Sequence, residues 1–408
     1  MAEKRFRYLA TVQKGHLPRF LGEWEPNTEI VPYLTMDYLR GETTEPTLVA
    51  VEPGLLLADE GDTLLLWDGS NAGEFLHSKR GVVSSTIALI TPTTVDPAYF
   101  YWVCKTLEGR VRSETIGMGI PHVNGEFLAN LRVMVPSRGT QRVIADYLER
   151  ETPRIDALIA AKERLFGLLA EKRRAVITRA VIRGLDPNVP LRNSGIPWLG
   201  EIPAHWEIVA LRFLVDLSSG ATPNTGKPEY WDGEIPWVSP KDMKQTEITD
   251  AQDHVSDLAL SESTLHLIDP GAVLIVVRGM ILAHSFPTAV NTKSVTINQD
   301  MKALRCLRMI EPYFLRDFFL GNEERIVSLA DSSAHGTRKL ETEVLGRLEV
   351  LVPPRDEQLR IVAYIKEAII RLDTLQSATE VTISLLRERR AALIAETVTG
   401  QIKEGGKS

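Results

Sequence analysis

Two stretches of the chain place apolar residues at alternating steps of three and four, the spacing that lines one face of a helix. Ile155, Leu158, Leu165, Leu169 and Val176 fall in this phase in the first stretch, and Leu372, Leu375, Leu386 and Leu393 in the second. The pattern predicts a coiled-coil seam, interrupted by Lys162, Lys172, Thr379, Thr382 and Arg389. An ordinary amphipathic helix packed on its own domain is the alternative; equal length and phase favour pairing of the two stretches with each other. Each is preceded by a proline-closed apolar run, VMVP at 133–136 and VLVP at 350–353, which reads as a strand followed by a short helix. Asp356 suits the N-cap of the second short helix, and Gly139 is a permissible one in the first. Thr152 and Pro153 read as the N-cap and first residue of a new, longer helix, which implies a bend there; the second copy has Ile369 and Ile370 instead. Each long helix is then expected to run about 30 residues, or about 45 Å. Gly184 and Pro187 stop the first, and Gly400 ends the second.

The two stretches belong to one repeat. Residues 133–183 and 350–400 align without a gap at an offset of 217 and share 19 identities in 51 positions. Among them are Pro136/Pro353, Arg138/Arg355, Gln141/Gln358, Tyr147/Tyr364, Asp156/Asp373 and Arg173/Arg390. Chance would give about three, so this is a duplication. The preceding segments correspond more loosely: Arg7-Tyr8-Leu9 then Gly15 parallels Arg212-Phe213-Leu214 then Gly220, Pro32-Tyr33-Leu34 parallels Pro236-Trp237-Val238, and 61–69 parallels 271–279. Similar helices beside dissimilar globular parts suggest one frame carrying two different readers.

The globular parts mix short strands, at 63–67 and 272–277, with fewer helical patterns, at 97–107 and 311–319. The expected fold class is mixed α/β (α+β): a globular domain at 1–136, a helical region at 137–186, a linker at 187–209, a second globular domain at 210–353 and a second helical region at 354–403. The linker is rich in Pro, Asn and Gly, and its Trp198 and Trp206 are expected to dock it on a neighbour.

Composition refines this picture little. No apolar run approaches the roughly 20 residues that span a bilayer, and Cys104 and Cys306 lie far apart with no CxxC partner; a soluble protein of a reducing cytoplasm fits. A net charge of −7 argues mildly against nucleic acid, although a basic face can coexist with acidic ones. Catalytic motifs are missing. There is no Asn/Asp-Pro-Pro-aromatic loop for a flipped adenine, and GATPNTGKP at 220–228 has the wrong glycine spacing for a phosphate loop, with Pro228 where Ser or Thr must bind magnesium. Asp59, Glu60 and Asp62 read as solvated turn acids, and the histidines are scattered, so no metal site is indicated.

Residue types that read bases and phosphates do cluster in loops. The second domain offers Ser239, Lys241, Arg278, Asn298, Gln299, His335, Thr337, Arg338 and Lys339; the first offers Thr35, Asp37, Ser70, Asn71, Ser84, Ser85, His122 and Asn124. For each, turn formation is the competing explanation. The strings PPRDEQLRIVAYI, RIDALIAAKERLFGLLAEKRRAVITRAVIRGL, LGEIPAHWEI, VVRGM, INQDMKAL and HGTRKLE resemble the specificity subunits of type I restriction-modification systems. The resemblance implies two target recognition domains, each reading half of an asymmetric bipartite sequence in double-stranded DNA, and two helices forming an antiparallel coiled coil in a pseudo-twofold tandem repeat. It also implies a non-catalytic role. Two modification (methyltransferase) subunits would bring S-adenosylmethionine and methylate adenine, and restriction subunits would bring ATP- and Mg-dependent translocation and cleavage. A coiled-coil adaptor carrying two protein-binding modules is the alternative, and it would show no salt-dependent affinity for duplex DNA.

Overall fold

The computed structural model describes residues 2–18, 28–332 and 337–400, leaving His335 outside the described residues. The chain divides into two compact units, residues 1–163 with 380–408 and residues 164–379. The fold is mixed α/β in both.

In the first unit Ala10–Lys14, Ile87–Pro92, Thr63–Leu66 and Phe75–His77 form an antiparallel sheet in that spatial order. A second sheet orders Leu48–Ala50, Ile30–Leu34, Gly81–Val83 and Leu57–Ala58. The second unit repeats the plan. Val215–Ser219, Met301–Cys306, Val273–Val276 and Thr288–Asn291 form the matching sheet, extended by Glu247–Ile248, while Asp253–Val255, Ile235–Val238 and Thr296–Ile297 form the smaller one. Each unit packs one helix behind its main sheet, Pro97–Ser113 or Pro312–Gly321. Both begin with proline in the first turn, where its missing N–H costs nothing, and the Asp96 carboxylate accepts from the Ala98 and Tyr99 amides at 3.1 and 3.3 Å.

Two long helices, Arg138–Arg183 and Arg355–Thr399, follow the strands Arg132–Val135 and Glu349–Val352. These helices differ from the sequence expectation in three places. The first helix starts after Ser137, whose Oγ accepts from the Thr140 amide at 3.4 Å and whose carbonyl accepts from Gln141; Gly139 lies inside it. Asp356 is not a cap but sits in the first turn, where its charge complements the helix dipole. Thr152 and Pro153 do not start a new helix: one 46-residue helix runs through Pro153, and the second helix has 45 residues rather than about 30. Burial of Thr152 and Ile155, at 2% and 8% exposure, holds the helical path against the proline, with the Thr152 hydroxyl donating back to the Leu148 carbonyl at 2.6 Å.

Each unit takes the start of one long helix and the end of the other. Ile144 and Leu148 share the first unit's core with Ile394 and Val398; Ile361 and Ile365 share the second's with Ile177 and Val181. Every member of the second set lies 217 residues from a member of the first. The helices run antiparallel within each unit: Asp156 pairs with Arg390 at 2.7 Å and Glu163 with Arg387 at 2.8 Å, and Arg173 pairs with Asp373 at 2.6 Å. Asp156–Arg390 and Asp373–Arg173 are the same contact in two copies. A buried glutamine anchors each helix in the same way: Gln141 accepts from the Asp96 amide and donates to the Pro136 carbonyl, and Gln358 accepts from the Glu311 amide and donates to the Pro353 carbonyl.

The seam itself is shifted from its expected place. Ile155 and Leu169 are buried and Val176, Leu372, Leu386 and Leu393 half-buried, whereas Leu158, Leu165 and Leu375 face outward at 52%, 38% and 54% exposure. The buried or half-buried line runs through Thr152, Ile155, Ile159, Lys162, Phe166, Leu169, Arg173 and Val176 on one helix and Leu372, Gln376, Thr379, Ile383, Leu386, Arg390 and Leu393 on the other.

The linker docks on the second unit. Trp206 is buried against Gly184, Trp198 meets Phe318 edge-on at 6.3 Å between ring centres, and Glu207–Ala210 pairs with Glu349–Val352.

Candidate nucleic-acid interface

In both units the sequence brings candidate polar residues to one end of the main sheet, and glycines decide how closely the loops there approach. A Cβ on Gly15 would lie 2.2 and 2.4 Å from the carbonyl oxygens of Val83 and Ser84; one on Gly220 would lie 2.3 and 2.0 Å from those of Ile297 and Asn298. Ser84 and Ser85 in one unit therefore occupy the place of Asn298 and Gln299 in the other. Ser84 is buried, with its hydroxyl 3.2 Å from that of Thr86, and the Ser85 amide donates to the Tyr33 hydroxyl at 3.1 Å. Asn298 is also buried and accepts from the Asp300 amide at 3.0 Å, while exposed Gln299 accepts from the Thr222 hydroxyl.

Beside these loops each unit lays a hairpin across the end of the strand that precedes it. In the first unit Asp68 bridges to His122, which exchanges backbone bonds with Ile116 at 2.9 and 2.7 Å. In the second, Arg278–Gly279 pairs with Arg338–Lys339, which pairs in turn with Asp331–Ser332. Asp68 thus corresponds to Arg278, and His122 to Lys339. The chemistry at these matched positions differs. Asp68 holds His122 Nδ1 at 2.5 Å and Lys14 Nζ at 2.5 Å. Partial burial pushes the Asp68 carboxyl up, and the hydrogen bonds from Lys14 and His122 outweigh this and hold it below the usual carboxylate value. An aspartate fixing Nδ1 leaves Nε2 of a half-exposed imidazole to meet a ligand. In the second unit the cluster is cationic: Arg278, Arg338, Lys339 and Lys302, with Lys339 also 2.7 Å from Glu341. Burial lowers the Lys302 ammonium pKa, and neighbouring Lys339 lowers it further.

The remaining candidates are mostly committed to the fold. Thr35 and Asn124 are N-caps, accepting from Tyr38 at 3.4 Å and Phe127 at 3.0 Å. Ser239 donates to Asp242, and Lys241 pairs with Asp253 at 2.7 Å, which raises its pKa. Asp37 and Ser70 are exposed, Asn71 and Thr337 half-buried. Lys14 and Lys302, absent from the sequence-based set, stand at the centre of the two clusters; their signal was a lysine at a strand end next to the obligatory glycine, or directly across from its strand. Among the described residues no group of His, Cys, Asp and Glu could hold a metal ion, and no helix is long and apolar enough to cross a membrane.

A family model described as the type I restriction modification DNA specificity domain matches residues 3–163 and again 203–383. The chain belongs to that family. Its two specificity domains coincide with the two copies of the sheet-and-hairpin plan. The type I restriction enzyme MjaVIII specificity subunit of Methanocaldococcus jannaschii is 32% identical over 191 residues, covering 46% of this chain and 43% of that protein. The EcoR124I/EcoR124II specificity subunit of Escherichia coli is 32% identical over 170 residues, 41% of each chain. The chain thus spans about two fifths of these curated relatives in the matched regions. A solved structure concerning complex assembly and conformational transition of the type I R-M system shares the fold over 98% of both chains, with a TM-score of 0.76 at 17% identity.

Proposed function

We propose that the chain is the specificity subunit of a type I restriction-modification complex, each specificity domain reading one half of an asymmetric bipartite duplex. The observation that carries this reading is the pair of matched end-of-sheet sites with unlike chemistry: Lys14, Asp68 and His122 in one, Arg278, Lys302, Arg338 and Lys339 in the other. One frame with two different side-chain sets suits two different half-sites.

In this reading the chain is non-catalytic and works in the cytoplasm. Two modification subunits bring S-adenosylmethionine and methylate adenine, and restriction subunits bring ATP- and Mg-dependent cleavage. The long helices suit docking of two like partners. Leu158 and Leu375, 217 residues apart, are 52% and 54% exposed, and Leu168 and Leu385, equally spaced, are 59% and 58% exposed. Identical apolar residues left outward in both copies favour a partner that binds twice.

The test is affinity for duplex DNA measured across salt concentrations, with the chain co-expressed with an adenine methyltransferase. The reading predicts co-purification, affinity that falls linearly with the logarithm of salt concentration, and target methylation that the methyltransferase alone does not perform. Salt-independent or absent duplex binding by the assembled complex contradicts it and favours the adaptor.

A further inference from the structure

The first unit's hairpin ends in an apolar turn, whereas the second unit carries its exposed methionine, Met280 at 70% exposure, on the turn that follows Arg278–Gly279 and not between its hairpin strands Asp331–Ser332 and Arg338–Lys339. Between Ile116 and His122 the hairpin turns through Gly117, Met118, Gly119, Ile120 and Pro121. Gly117 and Gly119 have φ of 110° and 106°, a region that L side chains rarely enter, and a Cβ on Gly117 would lie 2.7 Å from the Ile120 carbonyl oxygen. The turn is therefore tight. Its base is held by the two Ile116–His122 bonds, by Gly69 donating to Pro121 at 3.0 Å and by Val123 donating to Trp67 at 2.9 Å. On this fixed base stand three large apolar side chains with little packed on them: Met118 is 107% exposed, Ile120 62% and Ile116 55%.

Water is a poor environment for such a tip, and a ligand that buries it gains free energy in proportion to the apolar area covered. The identity of that ligand follows from position and from comparison. His122, at the foot of the hairpin, pairs with Asp68, which also pairs with Lys14, so the apolar tip stands on the same element as one member of this polar cluster. The matching stretch of the second unit, 331–339, reads DSSAHGTRK and carries no large apolar residue. A partner that binds both units alike would call for the same tip in both, so the apolar turn belongs to what is particular to the first unit. Under the reading proposed above, on which this inference rests, that is its half-site. Proteins that enter a duplex use such side chains as wedges between base pairs, with polar and cationic groups holding the backbone beside them.

We propose that Met118, flanked by Ile116 and Ile120, is an apolar wedge that enters the duplex at one base step within or beside the first unit's half-site and unstacks it. Pyrimidine–purine steps open most easily and are the expected place.

The test uses the full chain assembled with its modification subunits and a pool of randomised duplexes, from which bound molecules are sequenced. The two half-motifs recovered are then synthesised with 2-aminopurine at each step in turn, and its fluorescence reports unstacking. The wedge predicts a rise at one step in or next to the first unit's motif, lost in Met118→Ala and retained in Met118→Leu. Met118→Ala also weakens binding by about tenfold, the worth of one buried apolar side chain, and leaves the second unit's motif unchanged. Recovery of both motifs with no unstacked step, or with a signal that survives Met118→Ala, overturns the wedge alone. A Met118→Asp chain that no longer assembles with its modification subunits also overturns it, assigning the tip to a protein partner. Recovery of no motif overturns the specificity-subunit reading and the wedge with it.

Discussion

At the scale of single residues, what the structure asks of a position is most exact where backbone meets backbone. Gly15 and Gly220 sit where any Cβ would overlap a carbonyl of the opposing loop. Gly220→Ala is expected to cost about 1–3 kcal/mol of stability, read as a lower denaturant midpoint, and to disturb the Asn298–Gln299 loop more than distant parts of the unit. Gln358 is fully buried and donates to Pro353 and Met309 while accepting from Glu311. Gln358→Ala leaves buried backbone groups unpaired, and a loss of about 2–4 kcal/mol in chemical unfolding is expected. Asp317 is a third case. Its Oδ1 meets Arg316, its Oδ2 is buried without a partner, and burial pushes its pKa up to about 6, against the attraction of Arg316. A carboxyl whose folded pKa lies above its unfolded value binds its proton more tightly when folded, so it destabilises the chain above about pH 6 and this penalty fades as pH falls toward 4. Asp317→Asn is expected to flatten that part of the stability-versus-pH profile; an unchanged profile between pH 4 and 7 contradicts the assignment.

At the scale of elements, the sequence was most legible where it repeats. The 217-residue offset gave the two helices, the strands before them and the expectation of one frame used twice, and the structure places matching residues in matching contacts, as with Asp156–Arg390 and Asp373–Arg173. The phase of the seam was harder to read, because leucine occurs on both sides of it. Leu158, Leu165 and Leu375 carry the right hydrophobicity, but the buried line takes Ile159, Phe166 and Gln376 instead. A polar residue in a seam, such as Thr379, reads as an interruption, yet it is buried with its hydroxyl donating back to the Leu375 carbonyl of its own helix at 2.7 Å. At Pro153 the burial of Thr152 and Ile155 overrode local propensity, whereas Gly139 and Asp356 were missed as caps because the helices start earlier, at Arg138 and Arg355. Of the candidate readers, Thr35, Asn124 and Ser239 have residue types that also cap helices and turns, and no sequence pattern separates the two uses. Leu169→Ala, at a buried seam position, is expected to cost about 2–5 kcal/mol, whereas Leu158→Ser and Leu375→Ser should leave thermal stability nearly unchanged and reduce co-purification of the modification subunits.

At the scale of the whole molecule, the proposed function gives distance to the helices and chemistry to the two specificity domains. Removing one heptad from the middle of each long helix keeps the seam in phase and shortens each by about 10 Å, or about three base pairs of duplex. The spacer between half-sites should shorten by that amount while both half-sites stay the same; an unchanged spacer would remove the helices from the role of ruler. That one frame read twice with different side chains specifies two different half-sites is tested by single-molecule mapping of adenine methylation in the native host, with and without this chain. Chain-dependent methylation within two unlike half-motifs held at one fixed separation is expected. A palindrome, a single contiguous motif, or methylation that persists without the chain would contradict it.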